Sequence, residues 1–218
     1  MFTGIIEQVG TVVSLIRTGS AAKLAIAAPK LFDDVKIGDS VAANGVCLTV
    51  TAVRRDFAEF DLSAETLKRS TFTFIRIGDK LNLEKALPIS GRLGGHLVSG
   101  HIDGTGEIRH KVGSGEGLEL HLSVPSELIQ YLVPKGSIAV DGVSLTVADF
   151  RDGLVQLAVV PHTLKTTTLG QKAISDRVNI EVDMLSKYIE KHLHGEPRGI
   201  SEEMMMRAGF MPLGWSDN

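Results

Sequence analysis

Cysteine is almost missing from this chain. Cys47 is the single one in 218 residues, so no disulfide forms within the chain and no cysteine-based zinc or iron-sulfur site can be assembled. The seven histidines show no HExxH or comparable ligand spacing, and no metal is expected. Also lacking is any run of the roughly 20 apolar residues that a membrane-crossing helix requires. The opening Met-Phe-Thr-Gly-Ile-Ile-Glu has neither the basic region nor the apolar stretch of a secretory signal, so a cytoplasmic protein is expected. No GxGxxG or GxxxxGKS run lies between a strand and a helix, which removes support for dinucleotide and P-loop folds. There is little excess charge of either sign. A formal net charge of −3, with basic residues dispersed, leaves no footprint for nucleic acid or an acidic membrane surface and favours a small-molecule partner.

What is present is ordinary globular material, 43% hydrophobic and 22% charged, organised by an internal repeat. Asn44-Gly45-Val46-Cys47-Leu48-Thr49-Val50 returns 97 residues later as Asp141-Gly142-Val143-Ser144-Leu145-Thr146-Val147, with five of seven positions identical. The same offset pairs Thr66-Leu67-Lys68 with Thr163-Leu164-Lys165, Thr71 with Thr168, Asp79 with Asp176, Asn82 with Asn179 and Glu84 with Glu181. Earlier in each half, Thr3-Gly4-Ile5-Ile6-Glu7 matches Ser99-Gly100-His101-Ile102-Asp103 at an offset of 96, and a one-residue insertion between Pro125 and Ser137 accounts for the shift. Matches in one order and nearly one register indicate a duplicated domain, with halves at 1–96 and 97–184.

Each half reads as β. Glu119 to Val124 alternates polar and apolar residues, as a strand with one buried face does. Segments 40–53 and 137–147 are rich in β-branched residues and are broken by Asn-Gly and Asp-Gly, which are hairpin turn signals. About six short strands per half, with little room for crossover helices, predict a small closed antiparallel barrel, since closure removes exposed edges. Helical turns are expected over Pro29–Asp34, Pro125–Val133, Ala64–Ser70 and His162–Thr168. From Met184 the period changes: Leu185, Tyr188, Ile189, His192 and Leu193 recur at helical spacing before Gly195 and Pro197. This unrepeated amphipathic segment needs a surface to cover, and an oligomer interface is one.

The opening Met-Phe-Thr-Gly-Ile, the 44–50 segment, Gly94-Gly95-His96-Leu97-Val98-Ser99-Gly100-His101-Ile102 at the join, and their second-half copies up to Gly170 together resemble the riboflavin synthase family over residues 1 to 190. That resemblance implies an all-β chain of two tandem, similar six-stranded antiparallel Greek-key β-barrels plus a C-terminal α-helix. Its domains are an N-terminal lumazine-binding barrel (1–96), a C-terminal lumazine-binding barrel (97–184) and a helix and tail used in oligomerisation (185–218). It also implies a homotrimer with each site between one chain's N-terminal barrel and a neighbour's C-terminal barrel. Two 6,7-dimethyl-8-ribityllumazine molecules there exchange a four-carbon unit to give riboflavin and 5-amino-6-ribitylaminouracil, with no cofactor.

Carried over position by position, the family's ligand contacts fall in the first barrel on Gly4, Ile5, Ile6, Cys47, Leu48, Thr49, Asp61, Leu62, Ser63, Ala64, Glu65 and Thr66. In the second they fall on Gly100, His101, Ile102, Ser144, Leu145, Thr146, Ala158, Val159, Val160, Pro161, His162 and Thr163, and Lys135 reaches a ligand held by a neighbour. The candidate catalytic groups are Ser144, Thr146, His101, Cys47, Thr49 and Ser40. Two identical substrates in different roles call for two similar pockets with unlike groups, and Cys47 against Ser144, Ile5 against His101 and Glu65 against His162 supply them. Packing accounts remain beside these. Cys47 suits a small buried apolar residue equally well, Ser144 and Thr146 suit an ordinary strand, and Phe2 suits the core. A histidine such as His101 serves as base or donor near neutrality but is also often structural. The competing functions are a non-catalytic lumazine or flavin carrier, a flavin reductase barrel, which lacks its nucleotide-binding partner domain here, and an interaction module.

Overall fold

The structure is a computed structural model describing residues 1–193, together with the isolated positions Met205 and Gly209. Gly195 and Pro197, the tail beyond them and, apart from Met205, the Met204–Met206 run lie outside the described residues.

Period-two sequence patterns produce two closed six-stranded barrels. In the first, β1 (Gln8–Thr18), β2 (Ala21–Ala27), β3 (Ser40–Ala43), β4 (Val46–Val53), β5 (Phe57–Leu62) and β6 (Lys80–Lys85) close in the order β1-β2-β5-β4-β3-β6. Strands β3, β4 and β5 form a meander, and β2 returns to lie beside β5, which is a Greek-key connection. The second barrel repeats this with β7 (Gly104–Ser114), β8 (Gly117–Ser123), β9 (Ser137–Val140), β10 (Val143–Arg151), β11 (Leu154–Val159) and β12 (Arg177–Val182). Even the bulges are copied: register shifts at Val12/Ser14 and Val50/Ala52 recur at Ile108/His110 and Val147/Asp149. Such bulges bend strands enough for a small barrel to close.

The predicted helical turns appear as α1 (Pro29–Phe32), α2 (Ala64–Arg69), α3 (Ser126–Ile129) and α4 (Pro161–Thr166), and the terminal helix as α5 (Met184–Leu193). Two 3-10 turns that sequence pattern did not announce follow α2 and α4, at Thr71–Phe74 and Thr168–Gly170. Their cause is a hydroxyl used twice. Ser70 Oγ donates to the Thr66 carbonyl and accepts from Phe72 N, while Thr167 Oγ1 bonds Thr163 O and Leu169 N in the same way.

Each barrel holds its own core, centred on Leu24, Ile26, Phe60 and Leu83 in the first and on Leu120, Leu122, Leu157 and Ile180 in the second. Strand alternation then does something further in β6 and β12. Leu81 and Leu83, and Val178, Ile180 and Val182, enter the cores, while the alternate residues Asn82, Glu84, Asn179 and Glu181 are buried outside them, in the seam between barrels. Asn82 donates to the Asp141 carbonyl (2.9 Å) and accepts from Thr168 N (2.8 Å). Asn179 reciprocates with the Asn44 carbonyl (2.8 Å) and Thr71 N (2.7 Å). The two hairpin turns meet at this seam. Asn44, Gly45, Asp141 and Gly142 all have positive φ, the type I′ signature, and a Cβ on Gly142 would lie 2.6 Å from Gly45 N. Phe2, fully buried, packs with Val98, Ala42 and Ala139 to finish the joint, which gives its ring a core role.

Candidate functional site

Gly4 and Gly100 carry the repeat across the seam. Ser144 N donates to the Gly4 carbonyl at 2.8 Å, and Cys47 N donates to the Gly100 carbonyl at 2.9 Å. Ile6 packs on the second core and Ile102 on the first. The short segment preceding each barrel therefore completes the other barrel. This corrects the grouping expected from sequence: Gly4, Ile5 and Ile6 belong with Ser144, and Gly100, His101 and Ile102 belong with Cys47. The physical reason is the antiparallel bridge between Phe2 and Val98, which crosses the two entering segments before either reaches its own barrel.

The first-barrel cleft has a volume of about 270 Å3 and is walled by Val46 and Cys47 at the start of β4, by α2, and by Gly100, His101 and Ile102. Ser63 caps α2, accepting from Thr66 N at 3.0 Å and sharing a 2.9 Å bond with the Thr66 hydroxyl, which fixes both hydroxyls at the cleft wall. Glu65 and Arg69 pair at 2.8 Å along the exposed helix face, and the Arg69 hydrogen bond holds the Glu65 carboxyl below its ordinary pKa. Gly100 has φ +83°, and a Cβ there would lie 2.5 Å from the Cys47 Cβ. Only glycine permits this approach.

Around Ser144 the same frame carries different chemistry. Gly4 has φ +77°, and a Cβ on it would lie 2.6 Å from the Ser144 Cβ. Val160 stands where Ser63 does in the repeat, so α4 starts on Pro161 with no side-chain cap, and His162 and Thr163 follow it. His96 Nδ1 lies 2.8 Å from Ser144 Oγ, and His96 N is tied to the Thr3 carbonyl at 3.1 Å. The imidazole is only 8% exposed, and burial lowers its pKa below the ordinary 6.5 despite the opposing pull of Asp183. Nε2 is buried with no hydrogen-bond partner among the described residues. A neutral imidazole against a hydroxyl is suited to moving a proton at Ser144 Oγ.

The family model of the lumazine binding domain matches residues 3–86 and again 99–183. A riboflavin synthase of Actinobacillus pleuropneumoniae is 42% identical over 215 residues, covering 96% of this chain and 100% of its own. One of Bacillus amyloliquefaciens is also 42% identical over 215 residues, covering 99% of this chain and 100% of its own. The chain belongs to the riboflavin synthase family. Among solved structures, LumP complexed with riboflavin is similar, with a TM-score of 0.78 and 26% identity over 84% of this chain and 99% of that chain.

Not every position carried over from the riboflavin synthase family turns its side chain toward a cleft. Leu48, Leu62, Leu145 and Val159 are inward members of their strands and lie in the barrel cores, so only their main chain faces outward. Thr49 and Thr146 are exposed on the outer barrel faces, opposite Ser40 and Ser137 respectively, with Ala158 on the other side of Thr146. Asp61 and Ala64 are exposed near α2, and Lys135 is exposed in the loop before β9 with φ +67°. Four contributors were not anticipated: His96, Val46, Arg69 and Ser70. His96 lies in the Gly94–Ile102 segment at the join, where the sequence alone assigns it no role. Its identity as a polar residue beside two glycines was the available signal.

Proposed function

We propose that this chain performs the riboflavin synthase reaction, taking two 6,7-dimethyl-8-ribityllumazine molecules to riboflavin and 5-amino-6-(D-ribitylamino)uracil. The four-carbon unit lost by one substrate is gained by the other, so the transfer is balanced between them and needs no external oxidant or reductant. The observation that carries the reading is the duplicated frame with unlike groups, a cleft holding Cys47 and His101 in one copy and Ser144 paired with His96 in the other. Holding two rings at reacting distance supplies about 7 to 11 kcal/mol of the barrier. Ser144, His96 and His101 are left to move protons, and the hydroxyls of Ser63, Thr66 and Thr163 to hold the ribityl chains.

The first-barrel cleft contains no residue from the Ser144 side, which supports a productive pair formed by one chain's first barrel and another copy's second barrel. A homotrimer built through α5 meets that need. Leu185, Tyr188, Ile189 and Leu193 on this helix are 54 to 72% exposed. No helix among the described residues is long and apolar enough to cross a membrane, and a cytoplasmic enzyme suits a small polar substrate. Incubating the purified protein with the lumazine alone and following riboflavin absorbance tests the reading. The similarity to LumP favours one alternative, a carrier, which would bind the same molecules without forming product.

A further inference from the structure

Glu84 and Glu181 are buried carboxylates, 4% and 2% exposed, in strands whose alternate residues are apolar core. A carboxylate in such a place costs stability unless donors surround it, and both are surrounded in the same pattern. Glu84 Oε1 accepts from Thr3 N (2.6 Å) and the Thr3 hydroxyl (2.7 Å), and Oε2 accepts from Gly4 N (2.9 Å). Glu181 Oε1 accepts from Ser99 N (2.6 Å) and the Ser99 hydroxyl (2.7 Å), and Oε2 accepts from Gly100 N (3.0 Å). Burial outweighs these donors and leaves both carboxyls above the ordinary glutamate pKa.

The segments so gripped are not strands of either barrel. They are the two loops that cross the seam, and their glycines sit at positive φ against Ser144 and Cys47. The carboxylate's owner and the cleft it shapes lie on opposite sides. Glu84 stands in β6 of the first barrel but orients Gly4, whose carbonyl meets Ser144 N. Glu181 stands in β12 of the second barrel but orients Gly100, whose carbonyl meets Cys47 N.

We infer that Glu84 and Glu181 are positioning residues acting crosswise, each barrel's glutamate setting the ligand cleft of the other barrel. This extends the proposed function to residues that do not line either cleft.

Cys47, the sole thiol, lines the first cleft and borders the Phe2 joint, with no thiol beside Ser144. The test measures the rate of Cys47 alkylation by N-ethylmaleimide in the full chain, with and without saturating riboflavin. Glu181→Ala should speed alkylation of the free protein about tenfold or more, equivalent to losing one charge-assisted hydrogen bond from the segment, and should remove protection by riboflavin. Glu181→Gln, which keeps one acceptor oxygen, should fall between. Glu84→Ala, equally buried and equally bonded, should leave the rate and the protection of Cys47 as they are. A merely structural role predicts the same change from both glutamates, so equal effects overturn the inference, as does no effect from Glu181→Ala. Should the alanine variants fail to fold, Ser99→Ala against Thr3→Ala makes the same comparison with one hydroxyl removed. If riboflavin fails to protect the unaltered protein, the proposed function of the cleft is wrong, and the ligand-free rates still decide the crosswise effect.

Discussion

His96→Gln tests whether Ser144 works as half of a proton-moving pair. The 2.8 Å Nδ1···Oγ separation is within direct transfer range, and burial keeps the ring neutral at pH 7 and able to take the serine proton. A positioned general base contributes about 10²- to 10⁴-fold. Riboflavin formation by His96→Gln and by Ser144→Ala should therefore show kcat lowered about 100-fold or more, with KM moved far less. Because the two groups act as a unit, the double variant should be no slower than the slower single. Steady-state kinetics at saturating lumazine provides the measurement, with urea unfolding alongside. A packing role gives another pattern, a stability loss of about 1–3 kcal/mol from the unsatisfied partner with kcat kept. That result, or single losses that multiply in the double variant, refutes the pair.

Gly100→Ala places a Cβ 2.5 Å from the Cys47 Cβ at φ +83° and should abolish riboflavin binding at the first cleft; fluorescence titration should then show one site per chain in place of two. The depressed His96 pKa means that the unfolded chain takes up that proton first as pH falls. Its contribution to stability is thus present above pH 6.5 and lost below it, and in urea titrations His96→Gln should flatten the fall in that window. Residues 1–96 lack Gly100, His101 and Ile102 of their own cleft. This fragment should bind riboflavin only where a second copy lends its Gly4–Ile6 segment, so sedimentation should show ligand binding rising with dimer; full-affinity binding by the monomer would contradict this. Ile189→Glu should shift sedimentation toward monomer and suppress turnover at low protein concentration, with partial recovery on raising it; a trimer with normal turnover would remove α5 as the assembly element.

Much of the barrel architecture was legible because duplication wrote it twice: Asn-Gly and Asp-Gly mark the same turn, and alternation in Glu119–Val124 marks the same strand phase. The crossing of the entering segments was not legible. Thr3–Glu7 and Ser99–Asp103 match each other whichever barrel they complete, and a self-comparison cannot tell a segment from its twin. His96 escaped for a related reason, since its role depends on Ser144, 48 residues away in sequence, through a single side-chain bond. Glu84 and Glu181 were visible as repeated charges that alternate with the apolar residues Leu81 and Leu83, and Val178, Ile180 and Val182, in their strands. A charge that reappears at a buried phase is a signal worth following even when its partner lies in the other half.

The exchange of entering segments also orders events during synthesis. Domains generally fold as the chain emerges, the N-terminal one first, and the first barrel can close once Lys85 is available. Its cleft cannot, because Gly100–Ile102 has yet to emerge, while Phe2 and Ile6 wait with their apolar surfaces uncovered for Val98 and for a second barrel not yet made. For the time needed to translate about 100 residues, at roughly 5–20 per second, the nascent chain leaves these two side chains without the partners that bury them in the finished fold. The apolar surface left uncovered in that interval belongs to Phe2 and Ile6 rather than to either barrel core.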